Sequence, residues 1–192
     1  MKSITVYCGS AEGVHSEYLE GAFAMGQAVA RAGMALIYGA GKTGLMGAVA
    51  DGALAAGGEV IGVIPPGLNT PRLAHAGLTR LEVTPDIHAR KARMSELGDA
   101  LIALPGGFGT FDELFEALTW VQIGIHQKPV GLLNLRSYFD PLLKMIDHAA
   151  AEKFIYPEHR QLLCCENTPE TLLTTLKTLR LPKDLARWVN RD

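Results

Sequence analysis

The chain has 192 residues, of which 48% are hydrophobic and 20% charged, and its 18 Lys+Arg against 20 Asp+Glu give a net charge of -2. That balance excludes a disordered chain and lacks the basic footprint of a nucleic-acid binder. No apolar run approaches the roughly 20 residues of a membrane span, and the first one, residues 4–8, is too short for a secretory signal core and is broken by Gly9.

Residues 4–8 (ITVYC) form a continuous apolar run, the pattern of a strand buried on both faces. Residues 16–32 carry apolar side chains at helical spacing and stop at Gly33, which suits the position just past a helix end. Residues 34–38 read as a second strand, followed by glycines and a small-residue helix over 45–56. A third strand over 60–64 is closed by Pro65-Pro66-Gly67, and residues 65–78 read as an irregular loop. Residues 79–83 are a weak fourth strand, and Pro85 suits the first turn of a helix running to Leu97. A fifth strand covers 100–104, and an amphipathic helix covers 110–125. A sixth strand over 129–133 precedes a helix over about 138–154. Residues 162–165 read as a seventh strand and 169–179 as the last helix, followed by a polar tail expected to fray.

Regular alternation of strand and helix predicts an α/β fold: a Rossmann-like open parallel sheet of about seven strands with helices on both faces. With no linker, repeat or low-complexity segment, residues 1–192 read as a single Rossmann-like nucleotide-binding domain. Ligands of such sheets sit outside the carboxyl ends of the strands. The glycines gather there: Gly9, the trio Gly39, Gly41 and Gly44, then Gly67, then Gly106, Gly107 and Gly109.

The segment from Gly39 to Gly44 matches G-x-G-x-x-G between a strand and a helix, the setting of a dinucleotide fingerprint. The acidic residue expected at the end of the next strand is missing, since that strand ends Val63-Ile64-Pro65. A Walker A reading of Gly41-Lys42-Thr43 fails because the required earlier glycine is Leu36. Two readings remain: a tight turn that packs a helix closely, or backbone amides at a helix start that hold a phosphate.

Pro105-Gly106-Gly107-Phe108-Gly109-Thr110-Phe111-Asp112-Glu113 is the most informative stretch. Its glycines allow a sharp turn close to a ligand, and the following helix aims free N–H groups at it. Thr110-x-x-Glu113 also has the spacing of a capping box, a purely structural reading. On the preceding helix, Arg90 and Lys91 fall on the apolar stripe with Ile87, Met94 and Leu97. Cations in line with core residues either snorkel or face an anionic or polar ligand.

At these motifs the chain resembles the Lonely Guy family of cytokinin riboside 5′-monophosphate phosphoribohydrolases, often labelled lysine decarboxylase-like. The resemblance rests on Arg90-Lys91 with Met94, on Pro105 to Glu113, on Tyr7-Cys8-Gly9-Ser10, on Gly44-Leu45-Met46-Gly47, and on the run from Thr119-Trp120 to Leu132. It spans about residues 3–155. The departures are Ala40, where relatives often carry glycine, and Leu73, where they commonly place a substrate-touching glutamate.

What the resemblance implies is hydrolysis of the N-glycosidic bond of nucleoside 5′-monophosphates, giving free base and ribose 5-phosphate. It implies Arg90 and Glu113 as the catalytic pair. It implies substrate contacts at Ser10, Gly41, Lys91, Gly106, Gly107, Phe108, Gly109, Thr110 and Thr119, and a homodimer. The bond breaks through an oxocarbenium-like state, so the expected role of Glu113 is to face the ribose as a carboxylate and orient water. Arg90 is expected to keep that carboxylate ionised and to bond the substrate, while residues 107–110 cradle the phosphate. The competing reading is a nucleotide-binding or carrier protein of the same fold without turnover. A pyridoxal-phosphate decarboxylase would need a Schiff-base lysine, and only Lys42 and Lys91 fall near the ligand edge. The scattered histidines predict no metal, no cofactor is expected, and His126 reads as a cation capping a helix end. Three cysteines, with Cys164 and Cys165 adjacent, predict no disulfide framework and a cytoplasmic location.

Overall fold

The computed structural model describes residues 1–182 and Leu185; the polar tail expected to fray lies mostly outside the described residues. The strands are β1 (Ser3–Tyr7), β2 (Ala35–Tyr38), β3 (Val60–Ile64), β4 (Arg80–Val83), β5 (Ala100–Ala103), β6 (Val130–Leu133) and β7 (Leu163–Glu166). They form one sheet in the order β4-β3-β2-β1-β5-β6-β7, with every neighbouring pair parallel. The helices are α1 (Ser16–Arg31), α2 (Gly44–Ala55), α3 (Ile87–Leu97), α4 (Phe108–Gln122), α5 (Asp140–Ala151), the short α6 (Pro157–Arg160) and α7 (Pro169–Thr178).

The apolar runs become strands because both faces of the sheet are covered. Ile4 and Val6 of β1 join a core with Met25 and Val29 of α1, Val49 and Ala53 of α2, and Leu172 and Leu176 of α7. Tyr7 faces the other way, into a core with Met94 of α3, Leu114 and Val121 of α4, and Ile146 of α5. Thr5 is the buried polar exception in β1, and its hydroxyl donates to the Met94 carbonyl at 2.7 Å. Gly26 and Gly52 let α1 and α2 touch backbone to backbone. A Cβ on either would lie 2.0 Å from a carbonyl oxygen of the facing helix, that of Val49 or Phe23. This close seating sets the start of α2 beside the end of β1, where the Met46 amide donates to the Gly9 carbonyl at 3.1 Å.

Chain direction across the sheet switches between β1 and β5, the place where doubly wound sheets open a ligand crevice. The two turns that leave these strands meet there, and the Gly9 amide donates to the Pro105 carbonyl at 3.0 Å.

Several boundaries differ from the sequence expectation for local reasons. Pro85 does not open α3; Asp86 caps it, its carboxylate accepting from the Ala89 amide at 2.8 Å. The helix expected from residue 110 starts at Phe108 with Gly107 as its cap. Residues 65–78 contain a 3-10 turn at Pro66–Leu68 and pair with the glycine turn through a Gly41–Ala74 bridge. The helix expected near residue 138 starts at Asp140, after a 3-10 turn at Leu135–Ser137 in which Arg136 and Ser137 are left-handed, and α6 was not anticipated.

Candidate active site

A cleft of about 620 Å³ opens at the β1/β5 switch point. It is lined by Gly9 and Ser10 after β1, Gly39, Gly41 and Thr43 after β2, and Gly106, Gly107, Gly109 and Thr110 after β5. Arg90 and Glu113 also line it, with Tyr18 and Tyr138 and the apolar side chains of Met46, Ile64, Leu68 and Leu73.

Arg90 comes from α3 and is nearly buried. Its Nε donates to the Val63 carbonyl at 3.0 Å and its Nη2 to the Gly39 carbonyl at 3.3 Å. These bonds to the ends of β3 and β2 hold the guanidinium in place, and Nη1 lies 3.8 Å from Glu113 Oε1. Gly39 is the residue that makes room, since a Cβ there would lie 1.7 Å from Arg90 Nη2. The glycines that mimic a dinucleotide fingerprint therefore have structural reasons. Gly39 yields to Arg90, and Gly44 has φ +57 and packs against the Ala11 carbonyl. Ala40 between them is left-handed at φ 61, a conformation that favours glycine.

Glu113 lies inside α4, well past the Gly107 cap, so the capping-box reading is overturned. Thr110 is the third helical residue rather than the cap, and it is buried beneath Gly106. The carboxylate of Glu113 turns to Arg90 instead. Burial pushes its pKa up to about 7, with Arg90 pulling it down and Asp112 pushing it up. Arg90, expected to hold that carboxylate ionised, does pull its pKa down, but from 3.8 Å it does not offset the loss of water. Burial also pushes the Cys8 thiol upward, so it is no thiolate nucleophile.

The amides at the start of α4 have no intrahelical partners, and the glycines at 107 and 109 have nothing within 4 Å of a Cβ position. This leaves space and donors for an anion at the helix N-terminus. Ser10 and Gly41 join this rim, and the Ser10 carbonyl accepts from Thr43 Oγ1 at 2.8 Å.

Three expected contact residues do not reach the cleft. Lys91 turns toward α4, where Nζ pairs with Asp112 and Glu116 at 2.9 Å each. Burial pulls its pKa down, but the two carboxylates more than offset that and hold it above the ordinary value. Phe108 points outward and is 94% exposed. Thr119 is exposed and donates to the Phe115 carbonyl of its own helix at 2.7 Å. His126 is no helix-capping cation either. Burial and then Lys128 lower its pKa to about 4, leaving a neutral ring whose Nδ1 accepts from the Lys128 amide.

Sequence reasoning missed Tyr18, Tyr138 and Leu68 as lining residues, while Leu73, marked by the family resemblance as a substrate-facing position, and Met46 of the Gly44–Gly47 motif do line the cleft. Residues 65–78 fold back over the glycine turn, where the Lys42 amide donates to the Leu73 carbonyl at 3.0 Å and Lys42 Nζ to the Pro71 carbonyl at 2.6 Å. For Leu73 the signal was the family resemblance; for Leu68 it was only an apolar residue in a Pro-rich loop.

The fold and site define an α/β protein with a glycine-rimmed, anion-receptive cleft at the sheet's switch point and a buried Arg–Glu pair inside it. Residues 46–176 match the family described as "Possible lysine decarboxylase". The chain is 51% identical over 168 residues to the cytokinin riboside 5′-monophosphate phosphoribohydrolase of Rhodococcoides fascians, covering 86% of this chain and 85% of that one. It is 42% identical over 176 residues to cytokinin riboside 5′-monophosphate phosphoribohydrolase LOG of Oryza sativa subsp. japonica, covering 92% and 73%. The chain belongs to this phosphoribohydrolase family.

Among solved structures, the molybdenum cofactor binding protein of Rippkaea orientalis is 28% identical with a TM-score of 0.71, covering 93% of this chain and 97% of that one. The molybdenum cofactor carrier protein MCP of Chlamydomonas reinhardtii, 24% identical with a TM-score of 0.70 and covering 93% and 98%, shares the fold. The decarboxylase description implies pyridoxal phosphate, which is held through a Schiff-base lysine. Among the described residues no lysine lines the cleft: Lys42 is tied to Pro71 and Lys91 to α4, so the site does not fit that cofactor.

Proposed function

We propose that the chain hydrolyses the N-glycosidic bond of nucleoside 5′-monophosphates, cytokinin riboside 5′-monophosphates among them, releasing free base and ribose 5-phosphate. The observation that carries this is the buried Arg90–Glu113 pair set into a cleft rimmed by Gly106, Gly107, Gly109 and Thr110. The 5′-phosphate docks on the free amides of α4. That anchors the ribose beside the carboxylate of Glu113, with Ser10 and Gly41 on the same rim.

As the C1′–N bond stretches, its electron pair leaves with the base nitrogen and positive charge grows on the ribose. The Glu113 carboxylate stabilises that charge and orients a water molecule. The water oxygen bonds to C1′, one water proton passes to Glu113, and Glu113 returns that proton through solvent to the departed base nitrogen, which restores the carboxylate. A carboxyl group with a pKa of about 7 is suited to accept that proton near neutral pH. Arg90, held by two backbone carbonyls, supplies a fixed positive group beside the carboxylate. The apolar side chains of Met46, Ile64, Leu68 and Leu73 are suited to the base.

A second reading, a nucleotide-binding or carrier protein without turnover, is favoured by the likeness to the molybdenum cofactor binding protein. Incubating the purified protein with AMP and N6-substituted AMP and separating the products decides between them. Free base with equimolar ribose 5-phosphate supports hydrolysis, and bound nucleotide recovered intact supports the carrier.

We further infer a homodimer in the cytoplasm, with the chain acting as a single domain. Support for the dimer is a set of exposed apolar residues: Phe115 on α4, Ile123 and Ile125 just after it, Val83 at the end of β4 and Ile87 at the start of α3. Support for a reducing compartment is that Cys8, Cys164 and Cys165 are all free thiols. Sedimentation of the purified protein tests the dimer.

A further inference from the structure

The Gly106–Gly107 peptide forms the turn of the anion cradle; Gly106 packs closely on Thr110 and the Gly9 amide, while Gly107 has nothing within 4 Å of a Cβ position. Glycine lacks the Cβ that restricts rotation, and Gly107 caps α4 with no side-chain bond. A peptide unit is planar and trans, so its carbonyl oxygen and the next residue's N–H point in opposite directions. Whatever fixes the Gly106 carbonyl therefore also aims the Gly107 amide.

That carbonyl accepts a hydrogen bond from the Tyr138 hydroxyl. Tyr138 is itself held firmly. It stands edge-on to Phe139 at 5.0 Å and to Tyr18 at 6.0 Å between ring centroids. Phe139 is fully buried, and its amide donates to Asn134 Oδ1 at 2.7 Å, while Asn134 Nδ2 donates to Asp140 Oδ1 at 2.8 Å. Arg136 and Ser137, both left-handed at φ 53 and 57, turn the chain sharply from β6 so that Tyr138 reaches the cleft. Left-handed residues that are not glycine are strained and persist where the surroundings over-determine them.

We infer that Tyr138 is a positioning residue: its hydroxyl holds the Gly106 carbonyl and thereby presents the Gly107 amide to the 5′-phosphate of the substrate. This rests on the nucleotide reading of the cleft. Tyr138 acts through the peptide rather than on the ribose or base, so its hydroxyl matters only to ligands that carry the phosphate.

The test is Tyr138→Phe, which keeps the ring and its packing and removes one hydroxyl. Affinities for AMP and for adenosine are measured by calorimetry in a Glu113→Gln background, so that any turnover by Glu113 does not consume the ligand. The AMP dissociation constant should rise about tenfold, the scale of one net hydrogen bond, while that for adenosine stays within about twofold. In the parent background kcat/KM for AMP should fall by a similar factor, and the ratio of the AMP to the adenosine value should fall with it. Equal losses on both ligands would mark a merely structural tyrosine and overturn the inference, as would an unchanged AMP affinity. Failure of the hydrolase reading shows elsewhere, as no free base from any nucleoside monophosphate, and leaves the AMP-to-adenosine affinity ratio as the test of Tyr138.

Discussion

Arg90 Nη1 lies 3.8 Å from Glu113 Oε1, and both side chains are 11% exposed. The gap is too long for a hydrogen bond, so the guanidinium attracts the carboxylate without fully compensating for its lost water. The result is a carboxyl group with a pKa of about 7 at the end of a cleft, and the expected behaviour of the enzyme turns on that group.

The pH profile is the first consequence. If Glu113 works as the carboxylate, kcat/KM for AMP rises through its pKa of about 7 and levels off above it. Steady-state rates from about pH 5 to 9 check this. A rate that falls with pH over that range assigns the protonated acid instead.

Stability moves in the opposite sense. Glu113 has a folded-state pKa near 7, above its ordinary value of 4.5, so the folded state holds its proton more tightly. Its contribution is most favourable at acid pH and is lost as pH rises through about 7, a change on the order of 3 kcal/mol at most. Glu113→Gln should remove that decline. Unfolding free energies from urea titration should match within about 1 kcal/mol at pH 5 and favour the glutamine protein at pH 8. Turnover by Glu113→Gln should still fall by about 10²-fold or more. A folded Glu113→Gln protein of nearly full activity would remove Glu113 from the chemistry.

Arg90→Ala should also suppress turnover, and it should push the rate-determining pKa of Glu113 further upward, because Arg90 is the leading influence that lowers it. The double variant Arg90→Ala/Glu113→Gln should lose less than the product of the single losses, as expected for groups that act together. Multiplicative losses would show two independent roles.

Gly39→Ala tests the seat of Arg90. The added Cβ meets the Arg90 guanidinium at 1.7 Å and the Met46 methyl at 2.7 Å, so Arg90 must give up its two carbonyl bonds, with a loss of stability of about 1–3 kcal/mol. The guanidinium would leave its place between the Gly39 and Val63 carbonyls, and turnover should drop nearly as far as in Arg90→Ala. Gly109→Ala has nothing within 4 Å of its Cβ and should fold normally. Thermal melting with rates for both variants tests the contrast.

The phosphate should dominate recognition. Free amides at the start of α4 and the glycine turn favour a dianion, so AMP should be cleaved far better than adenosine. Equal kcat/KM for the two would place the anion cradle elsewhere.

The strand–helix alternation, the parallel sheet and the glycine-rich strand ends were legible in the sequence. They follow from local rules: apolar runs for strands buried on both faces, helical periodicity between them, and glycine where the backbone turns sharply. Arg90 and Glu113 were legible as a pair only through their resemblance to a family signature. Which cation enters the cleft was not. Arg90 and Lys91 are neighbours on one helix, and only the positions of β2, β3 and α4 send Arg90 to the Gly39 and Val63 carbonyls and Lys91 to Asp112 and Glu116. The Thr110-x-x-Glu113 spacing pointed to a cap because spacing cannot register that Gly107 had already started the helix. Tyr138 and Leu68 lie outside every motif and meet the cleft only where the chain folds back, whereas Leu73 was marked in advance by the family resemblance. Local pattern thus determined the layers and the places where the backbone could approach a ligand. The carboxyl pKa and the walls of the cleft depend on loss of water and on distances between distant segments, which exist only once the sheet is assembled.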